Sequence, residues 1–286
     1  MYLGSWRQVG GGGEMTPPDI AATLRAAGCV FAEEEARLLL AEERTADQLA
    51  DMVRQRVSGL PLEHVLGWAE FCGLRIEVDR GVFVPRRRTE LLVHEAARLG
   101  TDAASAAAVA PSERRIVVLD MCCGSGAVGV ALSATLHAGR FGVELHAVDV
   151  EAAAVRCAGR NLASAGGRVY EGDLYAALPP CLRGMVDVLV ANAPYVPTDS
   201  IALMPAEARL FEPRVALDGG ADGLDVQRRI IAEAPRWLAP GGHLLVETSR
   251  AQAPYTVDAF THSGLTSRVV TSDELGATVV IGAAPL

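Results

Sequence analysis

An α/β fold, a mainly parallel sheet preceded by a small helical domain, is what this sequence predicts, and three observations carry the prediction. Residues 115–119, 143–148 and 186–190 are nearly continuous apolar runs, the pattern of strands covered on both faces of a parallel sheet. The first run leads into Asp120-Met121-Cys122-Cys123-Gly124-Ser125-Gly126-Ala127 and then a segment rich in Ala and Val, which reads as strand, glycine turn and helix start. The third is size: 286 residues, 50% of them hydrophobic, suffice for one α/β core and a small additional domain.

In chain order, residues 1–14 contain Gly10 to Gly13 and no hydrophobic period, so a disordered extension is expected there, with Met15 as an alternative start. Thr16-Pro17-Pro18-Asp19 is a helix-opening signal, and apolar residues at helical spacing follow at 36–40 and 49–57. These features place a small helical domain at 15–66. Between Met15 and Trp68 it holds nine acidic residues and five arginines, an acidic face turned either to solvent or to a partner. Residues 71–84 alternate apolar and polar side chains, which predicts a linking hairpin, placed at 67–84. The larger domain takes 85–286, and its Ala-rich stretch 103–110 reads as a linker or helix end. Strands are expected near 115–120, 143–149, 168–172, 186–191, 241–247, 267–271 and 277–283, with helices between the first five. Pro240-Gly241-Gly242 reads as a plain turn before the fifth strand, and Asp218-Gly219-Gly220 and Asp222-Gly223 read by themselves as surface turns.

Composition excludes several classes. A net charge of -9 argues against broad nucleic-acid binding, so no direct nucleic-acid partner is expected. Every basic residue is Arg, and the one basic run, Arg86-Arg87-Arg88, reads as a solvated or partner-facing corner. The six cysteines show no paired C-x-x-C spacing and are expected to be reduced, which with the absence of a secretory start predicts a cytoplasmic protein without a metal site. No apolar run reaches membrane-spanning length.

Chemistry concentrates in three places. Asn192-Ala193-Pro194-Tyr195 directly follows the run 186–190, where a parallel strand opens into the ligand crevice of such a sheet. Pro194 biases Ala193 toward an extended conformation. The Asn192 side-chain oxygen and the Ala193 carbonyl can then accept from a flat –NH2 group while Tyr195 covers its planar face, although an ordinary strand exit would have the same sequence. The glycine turn also satisfies Gly124-x-Gly126-x-x-Gly129, and Asp149 closes the next strand where an acid would accept from ribose hydroxyls, so a dinucleotide site must be weighed. Asp120 opposes that reading. An acid beside the turn repels a pyrophosphate but suits the charged amine of S-adenosylmethionine. Gly172-Asp173-Leu174 supplies an acceptor and an apolar cover where an adenine would need them; taken alone, Asp173 is more simply a helix N-cap.

With its flanking residues, this set resembles the HemK/PrmC family of protein N5-glutamine methyltransferases, within the class I S-adenosylmethionine-dependent, Rossmann-like methyltransferase fold. The resemblance runs from about Leu60 to the C-terminus, on Leu66-Gly67-x-x-Glu70-Phe71, Val84-Pro85-Arg86 with Thr89-Glu90, the Asp120 turn, the Asn192 tetrapeptide, Phe211-Glu212-Pro213, Ala216-Leu217-Asp218-Gly219-Gly220-Ala221-Asp222-Gly223-Leu224-Asp225, and Glu247 with Gln252. It implies a seven-stranded sheet whose last strand is antiparallel, with S-adenosylmethionine held by Asp120, Cys122, Gly124, Ser125, Gly126, Asp149, Asp173, Leu174 and Asn192. It further implies transfer to a glutamine amide nitrogen by Asn192, Ala193, Pro194 and Tyr195, in a protein substrate such as a release factor or ribosomal protein, which the helical domain would recognise. The chain departs from the family pattern at Ala193, Cys122, Arg87-Arg88 and Ser249. Those departures imply a divergent member. They leave open an N6-adenine DNA or RNA methyltransferase and a non-catalytic S-adenosylmethionine-binding protein.

Overall fold

The computed structural model describes residues 16–42, 45–105 and 115–286. The extension expected over 1–14, the alternative start Met15 and most of the Ala-rich stretch 103–110 lie outside these residues. The chain divides into two compact units, Met1–Leu66 and Gly67–Leu286.

In the first unit, helices α1 (Pro17–Ala26), α2 (Ala32–Ala41) and α3 (Ala46–Val57) pack on one another and precede the short α4 (Leu62–Leu66). The opening signal at Thr16 is realised as a capping box with Asp19, and Thr45 with Gln48 repeats it at α3, satisfying backbone donors that a helix start leaves orphaned. Ile20, Leu24, Ala36, Leu39 and Val53 are buried. Among them lies an ion pair: Arg56 donates Nε to Glu35 Oε2 at 2.6 Å and Nη2 to Oε1 at 3.1 Å, both side chains being buried.

The second unit opens with an antiparallel hairpin, β1 (Trp68–Phe71) and β2 (Leu74–Glu77). Here the expectation is corrected, because the hairpin occupies the first half of 67–84 only. Phe71 pairs with Leu74, so Cys72 and Gly73 form a two-residue turn, both with positive φ (50° and 71°), the backbone that suits tight hairpins. Pairing ends at Glu77. Val82 then donates to the Asp79 carbonyl in a turn eased by Gly81 (φ 77°), and the chain runs on as an irregular loop to Arg86.

After α5 (Glu90–Ser105) come β3 (Arg115–Met121), α6 (Ala127–Ala138), β4 (Gly142–Asp149), α7 (Ala152–Leu162), β5 (Arg168–Glu171), β6 (Val186–Ala191), α8 (Ala206–Phe211), α9 (Asp225–Glu233), β7 (Leu238–Thr248), α10 (Ala253–His262), β8 (Thr266–Ser272) and β9 (Ala277–Ala283); between β5 and β6, where a helix was expected, lie only the 3-10 turns Leu174–Ala177 and Pro180–Leu182. The sheet order is β5-β4-β3-β6-β7-β9-β8. All pairs up to β7 are parallel, and β9 runs antiparallel to both β7 and β8.

The alternation of β3 shows how the layers are built. Ile116 and Val118 join a core with α5 and α6 side chains such as Leu92, Ala96 and Leu132, whereas Val117, Leu119 and Met121 join one with Ile230, Trp237 and Phe260. Burial on both faces is why these strands read as continuous apolar runs. One boundary moved: β7 begins at Leu238, so Pro240-Gly241-Gly242 is a bulge within the strand and not a plain turn before it. A Cβ on Gly242 would lie 2.7 Å from the Val186 carbonyl oxygen, so the neighbouring strand demands glycine there.

Candidate active site

Sheet order reverses between β3 and β6, and ligands of open α/β sheets bind at such a point, beyond the carboxyl ends of the strands. A cleft of about 320 Å³ lies there, lined by Asp120, the turn Cys122-Cys123-Gly124-Ser125, Asp149, Asp173, Leu174, Asn192 and Pro194, and walled on one side by Val82, Phe83 and Pro85. Of the residues singled out by sequence, Gly126, Ala193 and Tyr195 lie outside this lining.

The glycine turn is shaped by the acids around it. Asp149 Oδ2 accepts from the Gly124 amide at 2.8 Å and its Oδ1 from the Glu151 amide at 3.0 Å. Asp120 is buried, and its Oδ2 accepts from the Gly129 amide in α6 at 2.9 Å. A Cβ on Gly129 would approach that oxygen to 3.1 Å. Gly126 has φ 78°, and a Cβ there would meet Leu162 at 2.4 Å, so its part is to let the chain enter α6 against α7. Cys122 takes the strained left-handed backbone that favours glycine, with φ 58°. Burial pushes the Asp120 carboxyl up to about 7, against the Gly129 hydrogen bond and with help from the Asp149 charge. Asp149 is raised as well, first by burial, with the Glu151, Gly124 and Val150 amides pulling the other way.

Asp173 is not a side-chain cap. It stands at the start of a 3-10 turn (Leu174–Ala177), but its carboxylate takes Arg229 Nη2 at 2.6 Å instead. Four carboxylates (Asp120, Asp149, Glu151 and Asp173) and a single basic side chain, Arg229, line the cleft. Such a set fits a ligand with a cationic amine, a sulfonium and sugar hydroxyls, and disfavours a pyrophosphate.

Asn192 lines the same cleft. Its Nδ2 donates to the buried Thr89 hydroxyl at 3.3 Å, which leaves Oδ1 as the acceptor for an incoming N–H. Tyr195 sends its hydroxyl to Glu247 Oε1 at 3.2 Å, and burial together with the Glu247 charge holds its pKa above the usual phenol value.

The glycine-rich segment that sequence alone reads as surface turns braces this loop. Val196 donates to the Leu217 carbonyl and Gly219 to the Val196 carbonyl, at 3.0 and 2.9 Å. Gln252 Nε2 holds the carbonyls of Tyr195 and Asp222 at 2.9 and 3.0 Å. A Cβ on Gly223 would lie 2.3 Å from the Tyr195 carbonyl oxygen, so the loops close only around glycine there.

Sequence reasoning missed Thr89, Glu151 and Arg229, which line the cleft, and the contacts that Arg88 and Glu247 make beside it. Arg86 and Arg88 qualify the reading of 86–88 as a solvated or partner-facing corner, because each also reaches a buried acid. Arg86 pairs with the buried Glu212, which also accepts from the Val84 amide, and Arg88, itself still exposed, lies with Nε 3.3 Å from Glu247 Oε1; Arg87 is exposed. The available signal was the joint appearance of Glu212 and Glu247 in the motif set, two acids that needed cationic partners.

Fold and cleft together define a class I S-adenosylmethionine-dependent methyltransferase. The family model described as the methyltransferase small domain matches residues 97–212. A release factor glutamine methyltransferase of Geobacter sulfurreducens is 38% identical over 234 residues, covering 81% of this chain and 75% of that protein. One from Mycolicibacterium smegmatis is 36% identical over 253 residues, covering 86% and 83%. A 4-amino-L-phenylalanine/4-methylamino-L-phenylalanine methyltransferase of Streptomyces pristinaespiralis is 38% identical over 197 residues, covering 68% and 63%. The chain belongs to the release factor glutamine methyltransferase family. No helix among the described residues is long and apolar enough to cross a membrane.

Proposed function

We propose that this protein methylates the side-chain amide nitrogen of a glutamine in a peptide-chain release factor, in the cytoplasm. One observation carries the reading: Asn192, oriented by Thr89 with its oxygen available, lines the same cleft as the acids that suit the methyl donor. Family membership and the absence of disulfides among the described cysteines support it.

S-adenosylmethionine supplies a sulfonium methyl group when bound. Asp120 would face its amine, Asp149 its ribose hydroxyls, and Asp173 with Leu174 its adenine, while the Cys122-to-Gly126 turn lets the backbone approach. An amide nitrogen is a poor nucleophile because its lone pair is delocalised into the carbonyl. Asn192 Oδ1 and the Ala193 carbonyl would accept the two amide N–H bonds, aim the nitrogen and stabilise the positive charge that grows on it as the N–CH3 bond forms and the sulfonium C–S bond breaks to a neutral thioether. The nitrogen would then lose one N–H proton to water. Pro194 keeps that loop extended, and Tyr195 anchors it through Glu247. Ala193 retains the carbonyl that a proline would present there. Residues 15–66 would recognise the protein substrate.

The test is incubation of the purified protein and S-adenosylmethionine with a release factor, followed by peptide mass spectrometry. A methyl group on a single glutamine is the expected result; an unmodified release factor would overturn the reading. The relative named for an aromatic amine favours one second reading, methylation of a small-molecule arylamine, and 4-amino-L-phenylalanine in the same assay separates the two.

A further inference from the structure

Two segments that belong to no strand of the sheet line the cleft, and one carboxylate joins them. The first contributes Phe83 and Pro85, the second Pro213 and Val215. Val84, between the first two, is buried with Ala69 and Cys157 in a small apolar cluster. A Cβ on Gly124 would lie 3.9 Å from the Phe83 Cβ, so this wall stands directly on the glycine turn. Glu212, just before Pro213, has a side chain only 1% exposed. Its Oε1 accepts from the Val84 amide at 3.3 Å and from Arg86 Nη2, and the Arg86 guanidinium lies 5.0 Å from the centroid of the Phe83 ring.

An exposed ion pair would hold the two walls weakly, but this carboxylate is dry. Taking Arg86 away from it strands a buried charge, which makes the contact costly to break. Hairpin pairing ends at Glu77, so no strand ladder ties residues 82–86 to the sheet. A cofactor in the cleft therefore touches two irregular segments, 126 residues apart at the Arg86–Glu212 contact, that a single charged pair fastens together. Neither Arg86 nor Glu212 lines the cleft, so both act through the residues beside them. We propose that Glu212 is a positioning residue that, through Arg86 and the Val84 amide, clasps the two walls to each other and sets how long S-adenosylmethionine stays bound. The inference rests on the cleft being the methyl donor's site and needs no methyl acceptor.

Residence is read by chasing tritiated S-adenosylmethionine from the full-length protein with excess unlabelled cofactor. Arg86→Met keeps most of the stem and removes the charge. It should raise the release rate about tenfold, the change expected for one charge-assisted hydrogen bond, while the association rate moves much less. Glu212→Gln keeps the shape, removes the other charge and should give a similar rise. The double variant should release the cofactor no faster than either single one, because the pair can be broken only once. Arg86→Lys should restore most of the residence time, and Arg87→Met, exposed beside the clasp, should leave it unchanged. A pair that served the fold alone would lower the melting temperature of the cofactor-free Arg86→Met protein and leave the release rate as in the wild type. That result, or additive effects in the double variant, would overturn the clasp. A release factor left unmethylated by a wild type whose cofactor residence depends on the pair would instead defeat the glutamine reading and leave the clasp standing.

Discussion

At residue scale, under the proposed function, Asn192 is the acceptor for the substrate amide and Asp120 the charge facing the methyl donor. Asn192→Ala should lower single-turnover methyl transfer by roughly 10²–10³, as when one preorganised polar group is lost, with little change in calorimetric cofactor affinity. Ala193→Pro should keep activity, because it preserves the carbonyl. Asp120 yields a pH prediction. Its folded-state pKa is raised from 3.8 to about 7. Between those values the folded protein holds a proton that the unfolded chain releases, so this group's contribution to stability falls as pH rises through the window. A cationic amine beside Asp120 favours the carboxylate, so cofactor affinity should rise from about pH 6 to 8 with release of a proton. Calorimetry in buffers of different ionisation enthalpy reads that proton, and Asp120→Asn should abolish the dependence. Cys122→Gly should relieve the left-handed strain, about 1–2 kcal/mol, less the added freedom of the unfolded chain, for a net gain of about 0.5–1 kcal/mol in denaturant melts.

Elements were legible to the degree that their signals were local. Strand cores at 115–119, 143–148 and 186–190 were continuous apolar runs, and β3, β4 and β6 contain them. Thr16 and Asp19 announced α1 by a contact three residues long. Alternation overran the end of the hairpin because Val78, Val82 and Val84 are buried at even spacing, packed with Ala69 and Cys157 without being paired in a strand, while Asp79, Arg80 and Gly81 are all exposed. Periodicity reports burial, not pairing. The bulge at Pro240-Gly241-Gly242 was hidden for a similar reason, since Gly and Pro mark turns and bulges alike. Helix packing in the first unit also turns on a contact that local sequence hides. Arg56→Ala would leave Glu35 of α2 buried without its bidentate partner, and a loss of about 3–5 kcal/mol should appear in chemical denaturation of that unit.

For the whole molecule, the division at Leu66 and Gly67 separates the cleft from the first unit: every cleft-lining residue lies between Gly81 and Arg229. A chain beginning at Gly67 should therefore bind S-adenosylmethionine with unchanged calorimetric affinity and lose methylation of the release factor; a folded truncation that no longer binds the cofactor would refute the division of labour. The sequence by itself determined the parallel sheet, the glycine turn with Asp120 and Asp149, and the loop at Asn192 that follows β6, because each is a short run whose conformation and burial follow from its own residues. Only the tertiary structure decided what those groups can do. Arg88 from just before α5 and Tyr195 after β6 meet at the Glu247 carboxylate of β7, Thr89 meets Asn192, and Arg229 of α9 meets Asp173 after β5. Such meetings are set by the order and twist of the sheet, which bring distant strand ends to one edge. No local pattern records them, since a hydrogen bond's partner and polarity belong to the pair and not to either residue's neighbours in the chain.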